Sequence, residues 1–362
     1  MEFAPAPGRL VLIGSGEIGP SMAPLHRSLV SSLPKRSAPS SLVALDGSYD
    51  FQTNRAEMGE RIATFFRSKV GIPTTVIGLP EIDRAGADLA PAALGPTIAG
   101  IDGADYLFLG PGSPSRAIRR WGDTPIVERL AARIHAGATV VTSSAGAAAA
   151  GLVTIPVYEI YKAGAQASWL DGLDILGAVS GLRAAVVPHW NNSEGATHDT
   201  SRCYIGEERL RQLERTLPAE TGVLGIDEHT ALVLDIGAGS ASVHGKGAVT
   251  IRVPGVGETA LHSGAQEPIA AFAARFGAAA PSPFAAAGRP AAAAPALAEE
   301  ADRRTDAAGA SIADAVNQLL ALRDAARAER RFADADALRA VVEALGVEVT
   351  DGAAGPTWRV RT

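Results

Sequence analysis

One cysteine in 362 residues, Cys203, leaves no partner for a disulfide within the chain and rules out any multi-cysteine zinc or iron–sulfur centre. It agrees with a reducing, cytoplasmic setting, and as a lone thiol it is expected to be buried or half-buried packing. Long apolar runs are missing too. The segment Leu10–Ile13 near the start is far shorter than a signal-peptide core or a membrane span, and no basic stretch precedes it, so a soluble, unexported protein is expected with no membrane partner. Basic excess is absent. The net charge is −6 and the pI about 5.7, which argues against a chain that coats nucleic acid or anionic lipid through its overall field. The nucleotide-binding signatures are incomplete: Gly14-Ser15-Gly16-Glu17-Ile18-Gly19 lacks the full dinucleotide fingerprint, and no Gly-Lys-Ser/Thr follows a glycine-rich turn.

What is present, from Arg9 to about Gly277, is a succession of short apolar runs separated by stretches of helical period. The runs are Leu10–Ile13, Leu42–Leu45, Thr75–Ile77, Tyr106–Leu109, Thr139–Thr142, Ala184–Val187 and Ala231–Leu234. Helical stretches lie between most of them, as over 124–135 and 207–217. Runs without polar alternation belong to strands buried on both faces, so the pattern predicts an α/β fold with a mainly parallel sheet between helical layers. Residues 241–253 alternate around Gly245-Lys246-Gly247 and predict a hairpin closing the sheet edge.

Residues 278–306 are dominated by alanine with interspersed prolines, a composition that builds no core and reads as a linker between a domain over 1–277 and a segment over 307–362. In that last segment Ile312, Val316, Leu319 and Leu320 share one helical face, and Phe332, Ala335, Leu338, Val342 and Leu345 share another, which predicts a helical hairpin. Val347-Glu348-Val349 and Trp358-Arg359-Val360 are placed to pair across the glycines that follow.

The chemistry concentrates around residues 138–151. A β-branched run reaches Ser144, small residues follow, and an alanine-rich helix begins, the layout of a turn that lifts a serine above the carboxyl edge of a sheet. The N–H of Ala145 would then face a developing oxyanion, with further donors expected from Gly112 and Ser113 in the loop 108–117, where Pro111 offers none. A serine needs a base. His189 follows the apolar run Ala184–Val187 and Pro188 and precedes Trp190-Asn191-Asn192, which puts it in a loop just past a strand end, on the edge where open α/β sheets bind ligands. His198 and His229 remain alternatives on sequence grounds.

These residues resemble a known family. Ser143-Ser144-Ala145-Gly146-Ala147 is similar to the nucleophile motif of the cyanophycinase and peptidase E family, and residues 225–234 and 243–251 resemble two further stretches of cyanophycinase-like sequences. The likeness covers about residues 9–254. It implies a three-layer sandwich like class I glutamine amidotransferase domains, a Ser–His–acid triad of Ser144, His189 and Glu159, and hydrolysis of a peptide or isopeptide amide at an aspartyl residue with no metal or organic cofactor. Asp171, Asp174 and Glu194 are substitutes for the acid, while Asp227 and Glu228 are expected to serve as structural support. Residues 322–359 resemble the C-terminal end of cysteinyl-tRNA synthetases, a region that faces tRNA in those enzymes.

Residues 308–362 hold seven arginines and eight acidic residues, without the basic surplus phosphate contacts require. A docking or dimerising hairpin is therefore expected there rather than a nucleic-acid site. Two readings of other classes stand beside the hydrolase: a non-catalytic module binding a partner or RNA, and a glutaminase-type amide hydrolase, whose cysteine nucleophile Cys203 does not supply from a strand–turn–helix position.

Overall fold

The computed structural model describes residues 6–34, 40–79 and 91–277, together with the backbone of 347–352 and 355–360. Two compact units, Met1–Ala287 and Gly288–Thr362, make up the chain.

In the first unit, strands and helices alternate as their periods dictate: β1 (Arg9–Ile13), α1 (Ala23–Ser31), β2 (Leu42–Leu45), α2 (Arg55–Phe65), β3 (Thr74–Ile77), α3 (Pro91–Gly103), β4 (Tyr106–Leu109), α4 (Pro114–Trp121), α5 (Ile126–His135) and β5 (Thr139–Ser143). These five strands are mutually parallel, in the order β1-β5-β4-β2-β3. The absence of alternation in their sequences has a direct cause. Leu10 and Leu12 enter one apolar cluster with the inward faces of α4 and α5, while Val11 and Ile13 enter another with α1 and α2. Tyr106 and Phe108 likewise face the second cluster, and Leu107 and Leu109 the first. Both faces of β1, β2, β4 and β5 are covered, which favours apolar side chains there, each contributing roughly 1.5–3 kcal/mol on full burial, whereas the edge strand β3 is partly exposed.

After β5 come α6 (Ala145–Ala149), β6 (Val153–Thr154), α7 (Val157–Tyr161), β7 (Leu170–Asp171), α8 (Ile175–Ser180), β8 (Ala184–Val187), α9 (Glu207–Glu214), β9 (Gly222–Ile226), β10 (Thr230–Asp235), β11 (Ser240–Gly245), β12 (Ala248–Val253), β13 (Gly257–His262), β14 (Gln266–Pro268) and α10 (Ile269–Ala274). Strands β10, β11 and β14 extend the large sheet antiparallel beyond β1, to eight strands in the order β14-β11-β10-β1-β5-β4-β2-β3. A second sheet has the order β13-β12-β9-β8, with β8 and β9 parallel. Helices on both faces of a large, mainly parallel sheet make the sandwich the sequence pattern implies.

The hairpin expected over 241–253 does not form. β11 pairs in the large sheet and β12 in the small one, so Gly245-Lys246-Gly247 is a crossing between sheets rather than a turn within one. A second crossing, Asp227–His229, runs beside it. Asp227 N–H donates to the Ala248 carbonyl at 3.1 Å, Lys246 N–H to that of His229 at 3.0 Å, Ala248 N–H to the Asp227 carboxylate at 2.9 Å and Gly247 N–H to Thr230 Oγ1 at 2.9 Å.

In the second unit β15 (Val347–Gly352) and β16 (Gly355–Val360) pair antiparallel with Val349 opposite Trp358, as the two short motifs predict. The linker and the two helices expected over 312–345 lie outside the described residues. Among the described residues no helix is long and apolar enough to cross a membrane.

Candidate active site

Ser144 stands one residue beyond the end of β5, with φ 49° and ψ −115°. A non-glycine residue in that region is strained by about 1–3 kcal/mol and persists only where its surroundings hold it. Here they do. Ser144 N–H donates to the Ile13 carbonyl at 3.1 Å, Gly146 N–H to that of Gly110 at 3.2 Å, and the Ser144 carbonyl accepts from Ala148 N–H at 2.9 Å. Gly146 allows the approach, because a Cβ there would lie 2.4 Å from the Leu109 carbonyl oxygen. Behind the turn, Ser143 Oγ donates to the buried carboxylate of Glu17 at 2.8 Å. Glu17 belongs to the glycine-rich loop after β1 that the sequence offers only as a failed nucleotide motif.

His189 and its acid come from the small sheet. His189 lies two residues past β8, and Glu228 two residues past β9, its parallel neighbour. Ser144 Oγ is 2.9 Å from His189 Nε2, and His189 Nδ1 is 2.7 Å from Glu228 Oε1. A carboxylate can only accept at that contact, so Nδ1 carries the proton and Nε2 is left with its lone pair toward the serine O–H. Glu228 Oε1 also accepts from Asn192 Nδ2 at 3.0 Å. The bond from His189, helped by that from Asn192, holds the Glu228 carboxyl below its ordinary range, against partial burial that pushes the other way.

The acid expected from family resemblance, Glu159, is not the partner of His189. It sits half-buried on α7, whose Val157 and Ile160 point into the apolar cluster under the small sheet, and its Oε2 finds no hydrogen-bond partner among the described residues. Asp171, Asp174 and Glu194 do not take that place either, because the one Nδ1–H of His189 goes to Glu228. Glu228, expected as structural support, is the carboxylate that meets His189. The signal for it was the position of Asp227-Glu228 straight after an apolar stretch, but Gly222 and Gly225 weaken that stretch as a recognisable strand.

Two of the three expected oxyanion donors remain available. The N–H of Ala145 is at the first position of α6, where no intrahelical acceptor exists, and the N–H of Gly112 has no acceptor among the described residues. Gly112 holds φ 142°, and a Cβ there would lie 2.1 Å from the Ser48 carbonyl oxygen. The third, Ser113, is already committed: its N–H donates to the Ser48 carbonyl at 2.8 Å, and its Oγ caps α4 by accepting from Arg116 N–H at 3.2 Å. The start of α4 at Pro114 demands a cap there, which takes Ser113 away from any oxyanion. With only five residues, α6 adds little dipole, so the Ala145 amide itself is the relevant group.

The other histidines are occupied elsewhere. His198 stacks on Tyr161, and His229 Nδ1 lies 3.3 Å from Ser21 Oγ. Tyr204 packs its ring 5.1 Å from that of His189, and burial pushes its phenol upward so that it stays neutral. Cys203 is buried, and burial, with the charge of Glu228, pushes its thiol up to about 12. A neutral, inaccessible thiol is no nucleophile. Among the described residues no cluster of His, Cys, Asp and Glu is arranged to hold a metal ion.

Comparison with known proteins divides along the same line as the chain. A crystal structure of a peptidase from an acI-B1 Actinobacterium superposes with a TM-score of 0.55 at 22% identity, covering 73% of this chain and 98% of that one. That likeness establishes the fold. A putative peptidase E protein from Listeria monocytogenes EGD-e superposes at a TM-score of 0.43 with 13% identity over 71% of this chain and 99% of that one. At the other end, the cysteinyl-tRNA ligase anticodon binding domain matches residues 310–359. The cysteine–tRNA ligase of Salinibacter ruber (strain DSM 13855 / M31) is 47% identical over 68 residues, 17% of this chain and 13% of the ligase. That of Caulobacter sp. (strain K31) is 54% identical over 46 residues, 13% of this chain and 10% of the ligase. The chain therefore spans about an eighth or less of the length of these relatives.

Proposed function

We propose that the first unit is a serine-type hydrolase of peptide or isopeptide amides, with Ser144 as nucleophile, His189 as general base and Glu228 as the residue that orients it. The observation that carries this reading is the unbroken chain from Ser144 Oγ through both ring nitrogens of His189 to Glu228, at 2.9 and 2.7 Å, on a strained strand-to-helix turn. As Ser144 Oγ attacks the carbonyl carbon, His189 Nε2 takes its proton, and Glu228 stabilises the imidazolium that forms. The oxyanion is received by the amides of Ala145 and Gly112. His189 then protonates the leaving nitrogen as the C–N bond breaks, and a water deprotonated by the same ring releases the acyl group. An aspartyl residue at the scissile bond is the substrate class the family resemblance favours.

The test is mass-spectrometric digestion of a mixed panel of aspartyl dipeptides, β-aspartyl peptides and cyanophycin by the full chain. Cleavage by wild type that falls by roughly 10⁴-fold or more in Ser144→Ala and His189→Ala is expected. Folded wild type that cleaves no member would overturn the reading.

A second reading concerns the other unit. The match of residues 310–359 to an anticodon binding domain favours contact with a tRNA, although the charge there is balanced. Retention of tRNA that weakens steeply with salt would support it; equal retention by a chain ending at residue 277 would exclude it.

A further inference from the structure

Two consecutive asparagines follow His189 by two and three residues, and the hydrolase reading does not use them. Asn191 Oδ1 accepts from the backbone N–H of Glu228 at 2.8 Å. Asn192 Nδ2 donates to Glu228 Oε1 at 3.0 Å, the same oxygen that receives His189 Nδ1–H. The other end of the Asn192 amide is also engaged, its Oδ1 accepting from Glu194 N–H at 3.2 Å, which fixes which way the amide faces. Asn192 is 3% exposed, whereas the Glu228 side chain is 25% exposed. A glutamate that open to water is not held by packing alone and has other staggered rotamers that would turn its carboxylate away from His189.

We propose that Asn191 and Asn192 form a two-point clamp that positions Glu228, the first holding its main chain and the second its carboxylate, so that the loop carrying the base also selects and aims the base's own acid. Both act through Glu228 and are positioning residues. The clamp rests on the hydrolase reading and accounts for why the acid is drawn from β9: the clamp reaches only a residue at the end of the strand beside β8. Asn192 has a second consequence. Its N–H stabilises the ionised form of Glu228, so its loss raises the pH at which the carboxylate, and with it the active tautomer of His189, is lost.

The experiment follows the rate at which a fluorophosphonate labels Ser144 in the full chain across pH, for wild type, Asn192→Ala, Asn192→Asp and Asn191→Ala, with thermal unfolding as the check on folding. Asn192→Ala removes the donor without adding charge, whereas Asn192→Asp keeps the shape but sets a second carboxylate against Glu228, whose like charge adds to the loss of the donor. Both Asn192 variants are expected to label roughly tenfold or more slowly at the plateau, with the acidic limb of the profile moved to higher pH. Rates and limbs equal to wild type in folded variants would overturn the clamp and leave the hydrolase reading standing. Wild type that labels no faster than Ser144→Ala would instead overturn the hydrolase reading. Should the Asn192 variants not fold, the side-chain amide protons of Asn192, with both asparagines intact, decide: slow exchange that is lost in Glu228→Ala, which removes the acceptor, is expected, and exchange indifferent to that substitution counts against the clamp.

Discussion

His189 and Glu228 are 39 residues apart in sequence, yet each stands two residues beyond the end of neighbouring parallel strands, β8 and β9, and they meet at 2.7 Å. The contact follows from the pairing of the strands, because loops leaving adjacent parallel strands emerge side by side at the same edge. Glu228→Gln keeps the shape but replaces the carboxylate by a neutral amide, which no longer stabilises the imidazolium that forms as His189 takes the serine proton. A fall of roughly 10²- to 10⁴-fold in kcat is expected, while Glu159→Gln should remain within a few-fold of wild type. Steady-state kinetics on whichever peptide the panel identifies distinguishes the two acids, and the reverse ranking would restore Glu159.

Gly146→Ala probes the seat of the nucleophile. The added methyl would lie 2.4 Å from the Leu109 carbonyl oxygen, which belongs to β4 in the middle of the sheet and has little room to retreat. A loss of about 1–3 kcal/mol in stability is expected from urea unfolding, with activity reduced further because Ser144 shifts with the turn.

Acid should weaken the fold through His26. It is fully buried, with Nε2–H donating to the Glu17 carbonyl at 2.8 Å and Nδ1 accepting from Tyr106 O–H at 2.5 Å, so the ring is neutral and has no room for a second proton. Burial outweighs the Glu17 bond and lowers it from 6.5 to about 4. Between those values the unfolded chain binds more protons than the folded one, so stability is lost as pH falls from about 6.5 to about 4 and does not change further from this group below that. Wild type should lose on the order of 3 kcal/mol more over that interval than His26→Gln, by urea unfolding at several pH values; parallel curves would refute it.

Cys203 provides a control on the chemistry. Its thiol, buried and pushed up to about 12, should resist iodoacetamide in native protein and react readily once unfolded. Cys203→Ala should retain activity. Rapid native alkylation accompanied by loss of hydrolysis would point to a cysteine mechanism instead.

Much of this was legible in the chain itself. The runs that become β1, β2, β4, β5 and β8 show no polar alternation because both faces of each strand are covered. The turn at Ser144 was legible for a similar reason: a strand-to-helix turn this tight excludes bulk at 145–147, so the small residues mark it. His189 declared itself by ending a strand. These are local constraints, imposed by a residue's own neighbours.

What tertiary structure alone decided was partnership. Whether β11 and β12 pair with each other or part into two sheets depends on strands elsewhere, and the alternation within 241–253 is the same in both cases. Whether Ser113 offers its N–H to a substrate or to Ser48 depends on a loop 65 residues earlier. The choice of Glu228 over Glu159 depends on β9 lying beside β8. Local sequence constrains what each segment can be, whereas hydrogen bonds across the sheet edge are set by which segments the core brings together, and no spacing along the chain encodes that distance.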